Sequence, residues 1–187
     1  MGAKIRSGFT VARAFRAGAV LALLACSAKT APQPPLEPEV RVQLPQRQSP
    51  GALTHAERDS LLGELAVRRE AWRVRQINSY RIQVAAGCFC PWPQTPAIIE
   101  VRRGRVVALF DTAGKSLGTP REPWSLYTVE GLFDAVEQAA RNNDVVQVAY
   151  DPRYHYPAQV RGDLKIGLPD DWFWIKASRL TPRRNQQ

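Results

Sequence analysis

Histidine is nearly absent from this sequence: His55 and His155 are the only two in 187 residues. Neither stands at ligand spacing from the other or from a cysteine, which argues against a closed zinc site of four Cys and His ligands. A histidine base beside a nucleophile has equally little support. The Gly-x-Ser-x-Gly elbow, His-Glu-x-x-His, the phosphate loop and the dinucleotide fingerprint are all missing, which removes the commonest hydrolase, metalloprotease and nucleotide readings. The sequence therefore assigns no catalytic residue, no metal ligand and no cofactor. Long apolar runs are lacking too, and nothing approaches the roughly 20 residues of a membrane-spanning helix. Acidic residues are missing from positions 1–25, and cysteine is limited to Cys26, Cys88 and Cys90.

What fills the acid-free N-terminus is a basic stretch with Lys4, Arg6, Arg13 and Arg16, followed by an apolar run from Ala17 to Ala25. Nine helical residues span about 14 Å, roughly half a bilayer core, so residues 1–25 read as a secretory signal peptide. The run ends in Leu23-Leu24-Ala25-Cys26, which resembles the lipobox of bacterial lipoproteins, with Leu24 where a smaller or β-branched residue is commoner. The resemblance implies cleavage before Cys26, a diacylglycerol on its sulfur and acylation of the freed amine. Each buried methylene is worth about 0.8 kcal/mol, so three acyl chains make attachment effectively permanent. An ordinary signal peptide that happens to contain a cysteine is the alternative. Ser27 after the cysteine points to the outer membrane, and Arg6 excludes N-terminal myristoylation.

The formal charge of +9 suggests nucleic acid at first sight. Four of the 26 basic residues leave with the signal, so 22 face 17 acids, an excess of +5 spread along the chain. That modest excess suits anionic lipid headgroups or solubility and gives no footprint for nucleic acid. Residues 26–53 hold the candidate lipid site and then Pro32, Pro34, Pro35, Pro38, Pro45 and Pro50. Proline removes backbone donors and favours extended polyproline II, so this stretch reads as a tether rather than a core segment. A proline-rich ligand for a partner is the other reading.

Residues 54–182 carry folding signals, and 183–187 form a short tail. Thr54 and Glu57 form a capping box, and Leu61, Leu65 and Trp72 share a helical face. Arg68, Arg69, Arg73 and Arg75 crowd the end of this helix, either as a solvated face matched to the helix dipole or as a site for anionic headgroups. Tyr80 to Ala86 alternates as a strand, Ala97 to Arg102 is a second, and Val106 to Phe110 returns after an Arg103-Gly104 turn. Asp111 to Pro123 reads as loop. Thr128 caps a second helix with Leu132, Val136 and Ala139 or Ala140 facing inward. Strands follow at Val146 to Tyr150, Ala158 to Asp163 and Trp172 to Leu180. Short connections imply antiparallel pairing, so the expected fold is α+β. Two helices would pack on one face of a sheet of about six strands, in the order α-β-β-β-α-β-β-β.

Trp72 with Asn78-Ser79-Tyr80, Cys88-Phe89-Cys90, Thr128 to Phe133 and the Tyr150-Asp151-Pro152-Arg153-Tyr154-His155-Tyr156-Pro157 run together resemble the bacterial domain of unknown function DUF6174. The resemblance covers roughly residues 68–180, with the motifs in the expected order. This sequence has His155 where that family usually has glycine. The resemblance implies an exported, often lipid-anchored small domain and carries no established activity.

With Cys26 assigned, Cys88 and Cys90 form a pair. In a straight strand their Cα atoms stand about 6.6 Å apart, the upper limit for a disulfide, so closure needs the bend that Gly87 and Pro91 permit. A local structural disulfide, a redox-active pair, two metal ligands and two free thiols are the readings. Tyr150, Asp151, Tyr156 and Pro157, with Asp163 beyond them, form a candidate binding or structural hairpin. Asp151, Asp163, Asp170 and Asp171 are turn-forming or calcium-binding carboxylates. Trp172, Phe173 and Trp174 put aromatics on both faces of the last strand, one of them free for the first helix or for recognition. The expected function is a lipid-anchored protein of the cell envelope, at the outer membrane facing the periplasm. Its folded part would be a non-enzymatic binding or structural module, with a thiol/disulfide redox protein as the alternative. The expected partners are the membrane through Cys26, another envelope protein or anionic headgroups.

Overall fold

Thr54 opens the first helix through the expected capping box. Its hydroxyl accepts the Glu57 amide at 3.2 Å, and Glu57 accepts the Thr54 amide at 2.7 Å. The computed structural model describes residues 35–46, 51–88, 96–118, 120, 127–168 and 171–183. Helix α1 runs His55–Arg73 and is followed by strands β1 Tyr80–Cys88, β2 Ala97–Arg102, β3 Arg105–Phe110 and β4 Ser116–Gly118. Helix α2, Val129–Asn142, leads into β5 Val145–Tyr150, β6 Pro157–Asp163 and β7 Trp172–Pro182.

The seven strands form one antiparallel sheet in the order β4-β3-β2-β1-β7-β6-β5. Two meanders, β1 to β4 and β5 to β7, are joined by α2 and meet where β7 pairs with β1. The α+β expectation holds, with seven strands rather than about six. The added strand, β4, lies within the stretch read as loop and pairs with β3 through Leu109↔Gly118 and Phe110↔Ser116. Between β2 and β3, Arg103 and Gly104 both have positive φ (50° and 73°). That combination belongs to the two-residue turn whose twist matches a hairpin.

Alternation in β1 places Tyr80, Ile82 and Val84 on one face, each fully buried. Val101 and Ile99 flank them on β2, and Ala177 on β7. α2 packs on β5 and β6 over this face, burying Leu132, Phe133 and Val136. Each such side chain contributes about 1.5–3 kcal/mol. α1 packs against α2 and reaches the sheet through Trp72, whose ring meets Tyr80 edge-on at 5.7 Å.

The opposite face carries Gln147, Gln159, Lys176 and Trp174, which share it by register. Residues 35–46, read from the sequence as tether, form no helix or strand yet lie across it. Gln159 Nε2 donates to the Val42 carbonyl at 3.0 Å and Gln147 Nε2 to that of Pro45 at 2.7 Å. The compact unit therefore begins at Pro35. Proline composition does prevent ladder pairing, but it does not prevent single carbonyls from being held by side chains.

Candidate functional site

The hairpin between β5 and β6 is organised by Asp151, which is buried. Its Oδ1 accepts the amides of Arg153 (2.9 Å) and Tyr154 (2.6 Å). Its own amide donates to the Tyr156 carbonyl, and its carbonyl accepts the His155 amide, both at 2.8 Å. Asp151 thus builds the turn from within, as aspartates do where a side chain imitates the next backbone link. His155 sits in the left-handed region at φ 66°, where glycine is at ease and a histidine is strained. This chain therefore makes the turn at some steric cost.

Around the turn, Tyr150 packs against the core and Tyr156 is almost wholly buried. Burial, reinforced by Asp151, pushes the Tyr156 hydroxyl up from its ordinary pKa. Pro157 opens β6 at a register shift, where a ladder donor is dispensable. Asp163 does not belong to this cluster. It closes β6 at the far end, between Val145 and Trp172. Asp171 is also at that end, accepting the Lys165 amide at 2.7 Å. The carboxylates weighed for calcium are therefore separated by the length of a strand, and Asp170 lies outside the described residues. Among the described residues, no three His, Cys, Asp or Glu converge as metal ligands.

The arginines of α1 are engaged with acids and rings. Arg69 bridges to Glu137 (3.1 Å) and Asp134 (3.0 Å) of α2, Arg68 pairs with Glu64 at 3.1 Å and Arg73 with Glu70 at 2.6 Å. Arg68 lies over the Tyr150 ring and Arg75 over the Tyr154 ring. The Arg68 guanidinium also stands 3.3 Å from His155 Nδ1. Burial first, then Arg75 and Arg68, hold the His155 imidazole below its ordinary pKa. Between the helices, a cleft of about 680 Å³ is lined by Arg69, Trp72, Ile77, Glu130 and Phe133. Its floor is a relay: the Trp72 indole donates to Glu130 at 3.0 Å, and the Tyr80 hydroxyl faces the same carboxylate at 3.4 Å.

Cys26 and Cys90 lie outside the described residues. Cys88 closes β1 opposite Phe173 and is engaged rather than free. His55 is the first residue of α1 and is exposed. Phe173 faces the core and Trp174 the opposite side, where the Pro35 segment rather than α1 provides cover.

The most densely bonded residue of the strap, Glu37, has no motif to announce it. Its amide donates to Thr181 Oγ1 at 2.8 Å, and its carboxylate takes Arg153 at 2.5 Å and the Tyr154 hydroxyl at 3.2 Å. A faint signal is the Glu37-Pro38-Glu39 triplet, which places acids in an otherwise acid-poor proline-rich segment. No curated protein and no solved structure matches the chain. A family model described as a family of unknown function matches residues 64–182, from the middle of α1 to the last residue of β7, and the chain belongs to that family, DUF6174.

Proposed function

We propose that the protein is a lipid-anchored module of the bacterial cell envelope that binds a partner or contributes to envelope structure without catalysing a reaction. One observation carries this reading: a short, basic-flanked apolar run ends in Leu23-Leu24-Ala25-Cys26, ahead of a domain with its own core. Lipid on Cys26 holds the chain at the outer membrane, with the domain in the periplasm. Residues 27–34 separate Cys26 from the compact unit that begins at Pro35, a shorter leash than residues 27–53 would give. Among the described residues, no helix is long and apolar enough to cross a membrane.

Cys88 and Cys90 form a local structural disulfide in this reading. The engagement of Cys88 at the end of β1 supports it, as does an oxidising compartment. Growth with radiolabelled palmitate tests the anchor. The chain takes up label and partitions with membranes, and Cys26→Ser does neither. Label on the Cys26→Ser chain would refute the assignment. Alkylation in intact cells tests the pair, since thiols that cycle with glutathione contradict a structural bond.

A further inference from the structure

The face opposite the helices holds an extended peptide by a defined set of groups. At its start, Glu37 is fixed by Thr181, Arg153 and Tyr154. Two residues on, Glu39 meets Lys176 Nζ at 2.6 Å. Beyond that point the polar contacts pass to the main chain, while the Val42 side chain packs against the core. Gln159 takes the Val42 carbonyl and Gln147 that of Pro45. The contacts climb from β7 to β6 to β5, so the segment crosses the strands rather than joining the sheet.

We propose that this face is a receptor for an extended, proline-containing acidic peptide, and that residues 37–45 occupy it in cis. The chemistry of the face selects such a ligand. Arg153, Lys176, Tyr154 and the two glutamine amides present donors, which match two carboxylates and two carbonyls. Pro38 and Pro45 have no amide to leave unpaired, and a polyproline-like segment loses little entropy on docking. The grip on the segment is also exchangeable. It is made of side-chain contacts and partly exposed ion pairs, without a strand ladder. The receiving residues, Gln147, Arg153, Tyr154, Gln159, Lys176 and Thr181, all lie within the stretch that matches the family, whereas the segment they hold precedes it.

A tethered ligand competes at an effective concentration in the millimolar range, so an outside peptide meets a face that is mostly filled. The trans ligand is residues 35–46 of a second copy, a segment whose fit to this face the cis contacts already show. This inference rests on the domain being a binding module and is independent of the lipid anchor, which the Cys26 labelling reads separately.

The test uses the full chain and a fluorescent peptide with the sequence of residues 35–46, followed by anisotropy. Glu37→Ala/Glu39→Ala removes both carboxylates that hold the segment without altering the groups that line the face. This variant is expected to bind the peptide at least about tenfold more tightly than the unmodified chain. A peptide with both glutamates changed to glutamine, or a chain that also carries Arg153→Ala/Lys176→Ala, is expected to lose that binding. If the double variant no longer unfolds cooperatively, Glu37→Gln takes its place with the same expectation. Self-association of the unmodified chain in sedimentation, abolished by Arg153→Ala/Lys176→Ala, identifies a second copy as the ligand. A monomer at every concentration, with peptide binding intact, overturns a second copy as the ligand. Equal binding to the unmodified and opened chains, or none to a folded opened chain, overturns the proposal.

Discussion

The Tyr80 hydroxyl accepts the amide of Val129 at 2.8 Å, so the first residue of β1 caps the first turn of α2 from across the core. Val129 is wholly buried, and its amide is one of those that no helix can satisfy internally. Burial and the nearby Glu130 hold the hydroxyl in its protonated form. Tyr80→Phe strands that amide and is expected to cost about 1–3 kcal/mol in denaturant unfolding. Tyr150→Phe is the matched opposite, because the Tyr150 hydroxyl is buried without a hydrogen-bond partner among the described residues. Its removal is expected to leave stability unchanged or raise it. Equal losses from the two variants would contradict the capping role.

Asp151 presents a second asymmetry. Asp151→Ala leaves the Arg153 and Tyr154 amides without their acceptor and is expected to lose about 1–3 kcal/mol. Asp151→Asn keeps an oxygen in place and is expected to retain most of that stability. Amide hydrogen exchange at residues 153 and 154 reads the effect locally.

His155 gives the domain a pH dependence of known sign. Its folded pKa lies below the ordinary value, so just under that value the unfolded chain binds a proton that the folded domain refuses. Stability is therefore expected to fall as pH drops below about 6.5, until the folded imidazole also protonates. Thermal midpoints at about pH 7.5 and about pH 5.5 are expected to lie closer together for His155→Asn, which tolerates the same backbone without titrating. His155→Val, β-branched at φ 66°, is expected to cost about 1–2 kcal/mol at both. An unchanged pH dependence in His155→Asn would assign it to the carboxylates.

Two strand glycines are covered by aromatic rings on the neighbouring strand. A Cβ at Gly162 would meet the Phe173 ring at 2.4 Å and the Val145 carbonyl at 3.0 Å, and one at Gly87 would meet Trp174 at 2.3 Å. Both pairs face each other directly in register. Gly162→Ala is expected to lose about 1–3 kcal/mol by overpacking. Gly63→Ala, in α1 with nothing within 4 Å, is expected to gain about 1 kcal/mol. Urea midpoints moving in the same direction would remove the contrast.

The elements that were legible in the sequence are those whose signals are local. Thr54 with Glu57, the alternation from Tyr80 to Ala86, the Arg103-Gly104 turn and the Thr128 cap each lie within a few residues. β4 escaped because three residues with a terminal glycine offer no period, and Leu109 and Phe110 define it from the neighbouring strand. The α1 arginines could be placed on a face, but the partners of Arg69 lie 65 and 68 residues away. The hairpin is legible in its Tyr-Asp to Tyr-Pro run, and Asp163 belongs to it as the last residue of β6, at the end away from the turn. The docking of residues 35–46 leaves only the Glu37-Pro38-Glu39 triplet as a trace, because every bond is made to a side chain more than 100 residues distant.

The oblique path of that segment has a mechanical side. Tension on the chain ahead of Pro35 loads the Glu37 contacts first, then Lys176, then Gln159 and Gln147, so the bonds fail in series rather than together. Peeling residues 35–46 frees a segment with a reach of up to about 40 Å before any pull passes on towards Thr54 and the core. A pull from the N-terminal side is thus absorbed by a strap that can lie back down, and the hydrophobic packing beneath α1 and α2 is spared.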